Sequence, residues 1–127
     1  MSVTAVQLFS VPVSDPARAR DFYVDVLGLE LVRETEMGPG MRWVQVRPRG
    51  AATSITLVTW FDSMPAGSLR GTVLETDDLD GDAARLAGLG VALPGGVQEA
   101  PWGRWVELTD PDGNGIVLQA TADAPGA

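Results

Sequence analysis

The sequence predicts an α+β fold in which one β-α-β-β-β module is used twice in tandem, and three observations predict it. Gly28 in Leu27-Gly28-Leu29 and Gly90 in Leu89-Gly90-Val91 lie 62 residues apart, each closing an apolar-striped stretch that opens on Ser14-Asp15 or Asp77-Asp78. Further on, Arg42-Trp43-Val44-Gln45-Val46 returns as Arg104-Trp105-Val106-Glu107-Leu108, again 62 residues later. Two separate anchors at one offset mark an internal repeat, and each copy then builds one structural unit. The third observation is the order of signals within each half: period-two alternation, apolar residues at helical spacing, then three more short strand-like runs.

In the first half, Val6 to Val13 alternates as a strand. Asp15 can accept hydrogen bonds from the first free amides of a helix, with Pro16 at the first helical position, where its missing N–H costs nothing. Ala19, Phe22, Tyr23, Val26 and Leu27 form the apolar stripe, and Gly28 ends the helix because glycine tolerates the left-handed cap conformation. Strands are expected at Leu29 to Glu34, Arg42 to Val46 and Ser54 to Trp60, with turns at Gly38-Pro39-Gly40 and Arg49-Gly50. The second half repeats the scheme: a strand at Thr72 to Thr76, a helix from Leu79 to Leu89, and strands near Val91 to Leu93, Arg104 to Leu108 and Gly115 to Ala120. Asp110-Pro111-Asp112-Gly113-Asn114 is the strongest hairpin signal, since each of these residue types favours a turn. The expected organisation is one domain over residues 1–127, with module 1 at about 4–61, a linker at 62–70, module 2 at about 71–121 and a mobile tail from Ala122 to Ala127.

The 127 residues are 45% hydrophobic and 20% charged, the balance of an ordinary globular chain able to build a core without disulfides. There is no cysteine and no histidine. That removes thiolate metal sites, cysteine nucleophiles, histidine ligands and every serine-histidine triad. A net charge of −8 argues against nucleic acid and anionic membrane as partners, because a polyanion would be repelled. It would attract a cationic small molecule, or simply keep the protein soluble. With no signal-like N-terminus and no apolar run of spanning length, the expected location is the cytoplasm.

The local wording carries a resemblance. Val13-Ser14-Asp15, Phe22-Tyr23, Val26-Leu27-Gly28 and the later Asp110-Pro111-Asp112-Gly113-Asn114 stand in the order and spacing seen in the vicinal oxygen chelate superfamily, which the chain resembles from about Val6 to Gln119. This is the group of glyoxalases, bleomycin-resistance proteins and extradiol dioxygenases. The resemblance implies two modules whose curled mixed sheet surrounds a cup, with helices on the convex face. It also implies four metal positions, which fall here on Leu8, Thr56, Gly71 and Val117. Only Thr56 offers a donor atom, so neither metal nor other cofactor is expected. A rescue by the oxygen ligands Glu75, Glu107 and Gln119 is the remaining route to a cation. In character the chain is most similar to metal-free bleomycin-resistance-like members, and members of this size usually form homodimers.

Strand alternation sorts the residues onto two faces. Phe9, Val11 and Val13, Val44 and Val46, Ile55 and Leu57, Val106 and Leu108, and Ile116 and Leu118 share the parity expected against the helices. The opposite parity gives the candidate ligand-binding set: Leu8, Ser10, Trp43, Gln45, Thr56, Val58, Trp60, Val73, Glu75, Trp105, Glu107, Val117 and Gln119, with Trp102 on the preceding loop. The tryptophans either fill the cup as core or serve as walls for a planar guest. Polar companions such as Gln45, Glu75 and Glu107 favour walls, and a carboxylate beside indole suits an aromatic cation. The leading expectation is therefore metal-independent binding of a small aromatic molecule, a cationic one included, in the sheet cup, as in antibiotic-sequestering resistance proteins. A metal-free lyase or isomerase using Glu75 or Glu107 as acid or base is the alternative, because burial among tryptophans would raise a carboxylate's pKa. A metal-dependent glyoxalase or dioxygenase is disfavoured, and a pure interaction module is the third class.

Overall fold

The computed structural model describes residues 2–122. Its contacts fall into two units, one running to Leu69 and taking in Asp110–Asn114, the other Arg70–Thr109 with the chain from Gly115 on. The expectation of a mobile tail falls, beyond Ala122, outside the described residues.

Unit 1 contains β1 (Leu8–Pro12), α1 (Pro16–Asp21) continued by one π-helical segment (Phe22–Val26), β2 (Glu30–Gly38), β3 (Met41–Arg47) and β4 (Ser54–Val58). The strand order is β1-β4-β3-β2, with β1 parallel to β4 and the other pairs antiparallel. Asp15 caps α1 as expected, accepting from the Ala17 and Arg18 amides at 3.1 and 3.2 Å. The last turn widens: the Leu27 amide reaches back to the Phe22 carbonyl, and Gly28, at φ 82°, lets the chain leave. α1 packs on β3 and β4. Val11, Val13, Val44, Val46, Ile55 and Leu57 are buried there, as their parity predicts, while Phe9 is only half-buried.

The Asp-Pro-Asp-Gly-Asn turn is more than a turn. Asp110 and Asn114 are both buried, and the Asp110 carboxylate accepts from the Tyr23 hydroxyl at 2.8 Å and from the Asn114 side chain at 2.8 Å. Asn114 also donates to the Pro12 carbonyl at 2.8 Å and accepts from the Leu69 amide at 3.1 Å. A buried carboxylate is tolerable only with such partners. Burial first, then the charge and hydrogen bond of Asp110, push the Tyr23 hydroxyl far above the usual phenol range, so it stays a donor.

Unit 2 contains β5 (Thr72–Glu75), α2 (Leu79–Gly88), β6 (Gln98–Ala100), β7 (Gly103–Thr109) and β8 (Gly115–Thr121), in the order β5-β8-β7-β6. The topology repeats that of unit 1, with β5 parallel to β8. Asp78 caps α2 by accepting from the Gly81 amide. Leu79 and Leu86 bury against a sheet face carrying Val106, Leu108, Ile116 and Leu118. Fully burying Leu86 contributes about 2 kcal/mol.

Strand bounds differ from expectation where β2 runs on to Gly38 and β4 stops at Val58, short of Trp60, and one strand is displaced outright. The strand placed near Val91 to Leu93 lies instead at Gln98–Ala100. Pro94-Gly95-Gly96 explains the shift: both glycines have positive φ, 78° and 59°, and break any ladder before it forms. Pairing resumes only where Pro101-Trp102 closes a tight hairpin, with Ala100 opposite Gly103.

Candidate functional site

In unit 1 the register runs Ser10 to Thr56, Thr56 to Gln45, and Gln45 to Arg33, so these four residues form a polar row on one sheet face. Thr35 lies opposite Trp43 on that face. Ser10 and Thr56 share a hydrogen bond of 3.0 Å, and the Trp43 indole N–H donates to the Gln45 side chain at 3.1 Å. Trp43 and Trp60 are nearly parallel at 18°, their centroids 6.5 Å apart, with Phe61 beside Trp60. Trp43, Gln45, Trp60, Leu8 and Ser10 keep partial exposure. Thr56 and Val58 do not: each is 1% exposed, so a ligand reaches them only by displacing neighbours.

In unit 2 one row reads Glu75, Gln119, Trp105 and Gln98 across the sheet, and the next reads Val73, Val117 and Glu107. Every candidate assigned to this unit by parity therefore lies on a single face. Trp102, in the hairpin turn and 52% exposed, stacks on Trp105 at 4.6 Å and 18°. A cleft of about 350 Å³ is lined by Glu107 and Val117 together with Arg70, Gly71, Pro94 and Thr109.

The two glutamates part company. Glu75 is exposed, and its carboxylate accepts from the Thr121 hydroxyl at 2.6 Å and the Thr121 amide at 3.0 Å. Those bonds hold its pKa below the usual carboxylate range, the reverse of the rise expected from burial among tryptophans. Glu107 is likewise exposed rather than buried, and it faces the cleft.

The four positions at which the superfamily resemblance implies a metal do not fit one. Leu8 and Val117 have aliphatic side chains, Gly71 has none, and the Thr56 hydroxyl is already bonded to Ser10. Among the described residues, no three His, Cys, Asp or Glu side chains converge to hold an ion.

The model of the Glyoxalase/Bleomycin resistance protein/Dioxygenase superfamily matches residues 5–118. The chain belongs to that superfamily. Within it, TnmS3, an antibiotic binding protein from Streptomyces sp. CB03234, is 52% identical with a TM-score of 0.91, over 96% of this chain and 99% of that one. A glyoxalase/bleomycin resistance protein from the same Streptomyces strain is 54% identical, with a TM-score of 0.81 over 88% and 96% of the two chains. The uncharacterized protein YetH of Bacillus subtilis is 31% identical over 113 residues, 87% of this chain and 92% of that one. No helix is long and apolar enough to cross a membrane among the described residues.

Several surface-lining residues escaped the sequence reading. Arg33, Thr35 and Met37 line a cleft of about 190 Å³ with Trp43, and Thr35 and Met37 lie past Glu34, where the sequence signals end the strand. Arg33 was within that strand, and its face is set by a register shift that alternation alone does not reveal.

Proposed function

We propose that this superfamily member is a metal-independent binding protein for a small, planar aromatic molecule of the antibiotic class. The observation that carries the reading is the pair of parallel tryptophan stacks, Trp43 with Trp60 and Trp102 with Trp105, each on a sheet face with polar companions and each keeping solvent exposure. Aromatic side chains with no access to solvent would be core; these offer ring surface to a guest at little conformational cost. The lack of ligand-grade side chains at the implied metal positions, and 52% identity to an antibiotic binding protein, support the same reading. The working form is a homodimer, the assembly that the superfamily resemblance implies for a chain of this size.

Tryptophan fluorescence titrated with a panel of planar aromatic antibiotics, with and without EDTA, tests this. Saturable quenching that ignores EDTA is expected. Quenching that appears only after a divalent ion is added, or none with any member of the panel, would sink it. Light scattering coupled to gel filtration reads the oligomeric state.

A second reading rests on Glu107, an exposed carboxylate facing a cleft with no described hydrogen-bond partner, and makes the protein a metal-free enzyme with Glu107 as acid or base. Turnover of a bound compound that survives Glu107→Gln would eliminate it. Glu75 is a poor candidate for that role because Thr121 occupies both of its oxygens.

A further inference from the structure

The binding face of unit 1 carries a charge that the tryptophans do not account for. Leu31 lies opposite Val46, a core residue, whereas Arg33, two residues on, lies opposite Gln45. That shift marks a bulge, and a bulge re-aims the side chains that follow it. Arg33 is thereby turned to the face of Gln45 and Trp43, while its neighbour Glu34 points to the other side and pairs with Arg20 and Arg42 at 2.7 and 2.6 Å.

The chain has seventeen acidic residues and nine basic ones, so an arginine that lines a cleft without an acidic partner stands out. Arg47 pairs with Glu30, Arg104 with Asp80 and Glu99, and Arg18 with Asp112. Arg33 makes no hydrogen bond or ion pair with any described residue. It lines the cleft of about 190 Å³ with Thr35, Met37 and Trp43. That volume is below the roughly 300 Å³ at which whole drug-sized pockets begin, and it suits one ring system of a larger guest. A guanidinium offers five donors in a plane and no acceptor, so it recognises oxygen, best as a carboxylate, phenolate or ring carbonyl. An ammonium group would be repelled there. The preference for a cation drawn from Glu75 and Glu107 concerns unit 2, and unit 1 has the opposite sign.

We propose that Arg33 is a specificity-determining residue that grips an acidic or carbonyl oxygen at the edge of an aromatic ring lying against Trp43, so that unit 1 selects oxygen-bearing aromatics over aromatic amines. This rests on the aromatic-binding function proposed above. The net charge of −8 does not defeat it, because long-range repulsion is screened over about 8 Å at physiological salt while the guanidinium acts at contact.

The test uses three probes of one shape: 2-naphthoate, 2-naphthylmethylammonium and uncharged 2-methylnaphthalene, titrated into the full chain while the Trp43 indole N–H is followed by NMR. Naphthoate should bind about tenfold more tightly than the amine, the scale of a charge-assisted hydrogen bond at a half-open site. Arg33→Gln should remove that advantage and leave 2-methylnaphthalene unchanged, with Arg33→Lys intermediate. An amine that binds as tightly as the acid, or a naphthoate affinity that Arg33→Gln leaves within about twofold, overturns the assignment of Arg33 while the aromatic-binding reading stands. If none of the three probes moves the Trp43 resonance, the aromatic-binding reading fails and this inference falls with it.

Discussion

Trp43 and Trp105 occupy matching positions in the two units, yet each finds its aromatic partner in a different place. Trp43 stands near Trp60, just past the end of β4, at 6.5 Å; Trp105 stacks on Trp102, from the hairpin turn before its own strand, at 4.6 Å. The partners are not repeat mates, so duplication of the module does not by itself explain the two pairs. The polar settings differ as well. Unit 1 places Ser10, Thr56, Gln45 and Arg33 in a row, whereas unit 2 places Val73, Val117 and Glu107 in the equivalent row, with Glu75 and Gln119 beside Trp105. Two copies of one scaffold thus present two chemically distinct aromatic surfaces, one basic and one acidic. The supporting structure is also unequal, since the buried Tyr23–Asp110–Asn114 network belongs to unit 1.

That inequality gives the largest expected effect. Asn114→Ala strips Pro12, Leu69 and Asp110 of buried partners and should cost about 3 kcal/mol, read as a lower urea midpoint. A loss under about 1 kcal/mol would mean the network is not what distinguishes unit 1. Trp43→Leu and Trp105→Leu compare the two surfaces directly: each should weaken an aromatic ligand at least about tenfold, and an effect confined to one of them would assign the ligand to one unit.

The ion pairs provide a smaller and pH-dependent effect. Burial alone would raise the Glu34 pKa, but hydrogen bonds from Arg42 and Arg20 outweigh it and hold the group below its ordinary 4.5. A carboxylate with a lowered folded-state pKa stabilises the fold fully above the unfolded value and loses that contribution as the pH falls through the folded one. Glu34→Gln should therefore cost about 1 kcal/mol at neutral pH, after allowing for the partial exposure of Arg42, and almost nothing in strong acid. Equal losses at both extremes would point to packing instead of charge. The smallest effect is in unit 2, where Thr121→Val removes the hydroxyl donor to Glu75 and should return that carboxylate toward its ordinary pKa, visible by carbon NMR titration, with little change in stability.

Much of the fold could be read because its signals are local. Asp15 capping, the glycine stop at Gly28 and the repeated Arg-Trp-Val motif each act over a few residues, and the alternation that places Val44, Val46, Val106 and Leu108 in the core is a property of the strand itself. The third strand of the second module is not legible locally, because Val91 to Leu93 looks strand-like in isolation while the pairing depends on a hairpin with β7 that lies beyond two glycines. The candidate binding face was legible for the same reason as the core, since parity assigns both faces at once.

What the sequence determined by itself was the module, its duplication and the absence of histidine and cysteine, because these depend on residue order and inventory alone. Tertiary structure decided how the side chains were used. Glu75 lost its expected raised pKa because Thr121, 46 residues away, hydrogen-bonds to it. Thr56 and Val58 disappeared from the surface because neighbouring segments cover them, which no period-two pattern reports. Arg33 came to face Trp43 because one bulge changed the register of β2. Charge, exposure and facing depend on which distant atoms arrive nearby, and only the folded chain brings them together.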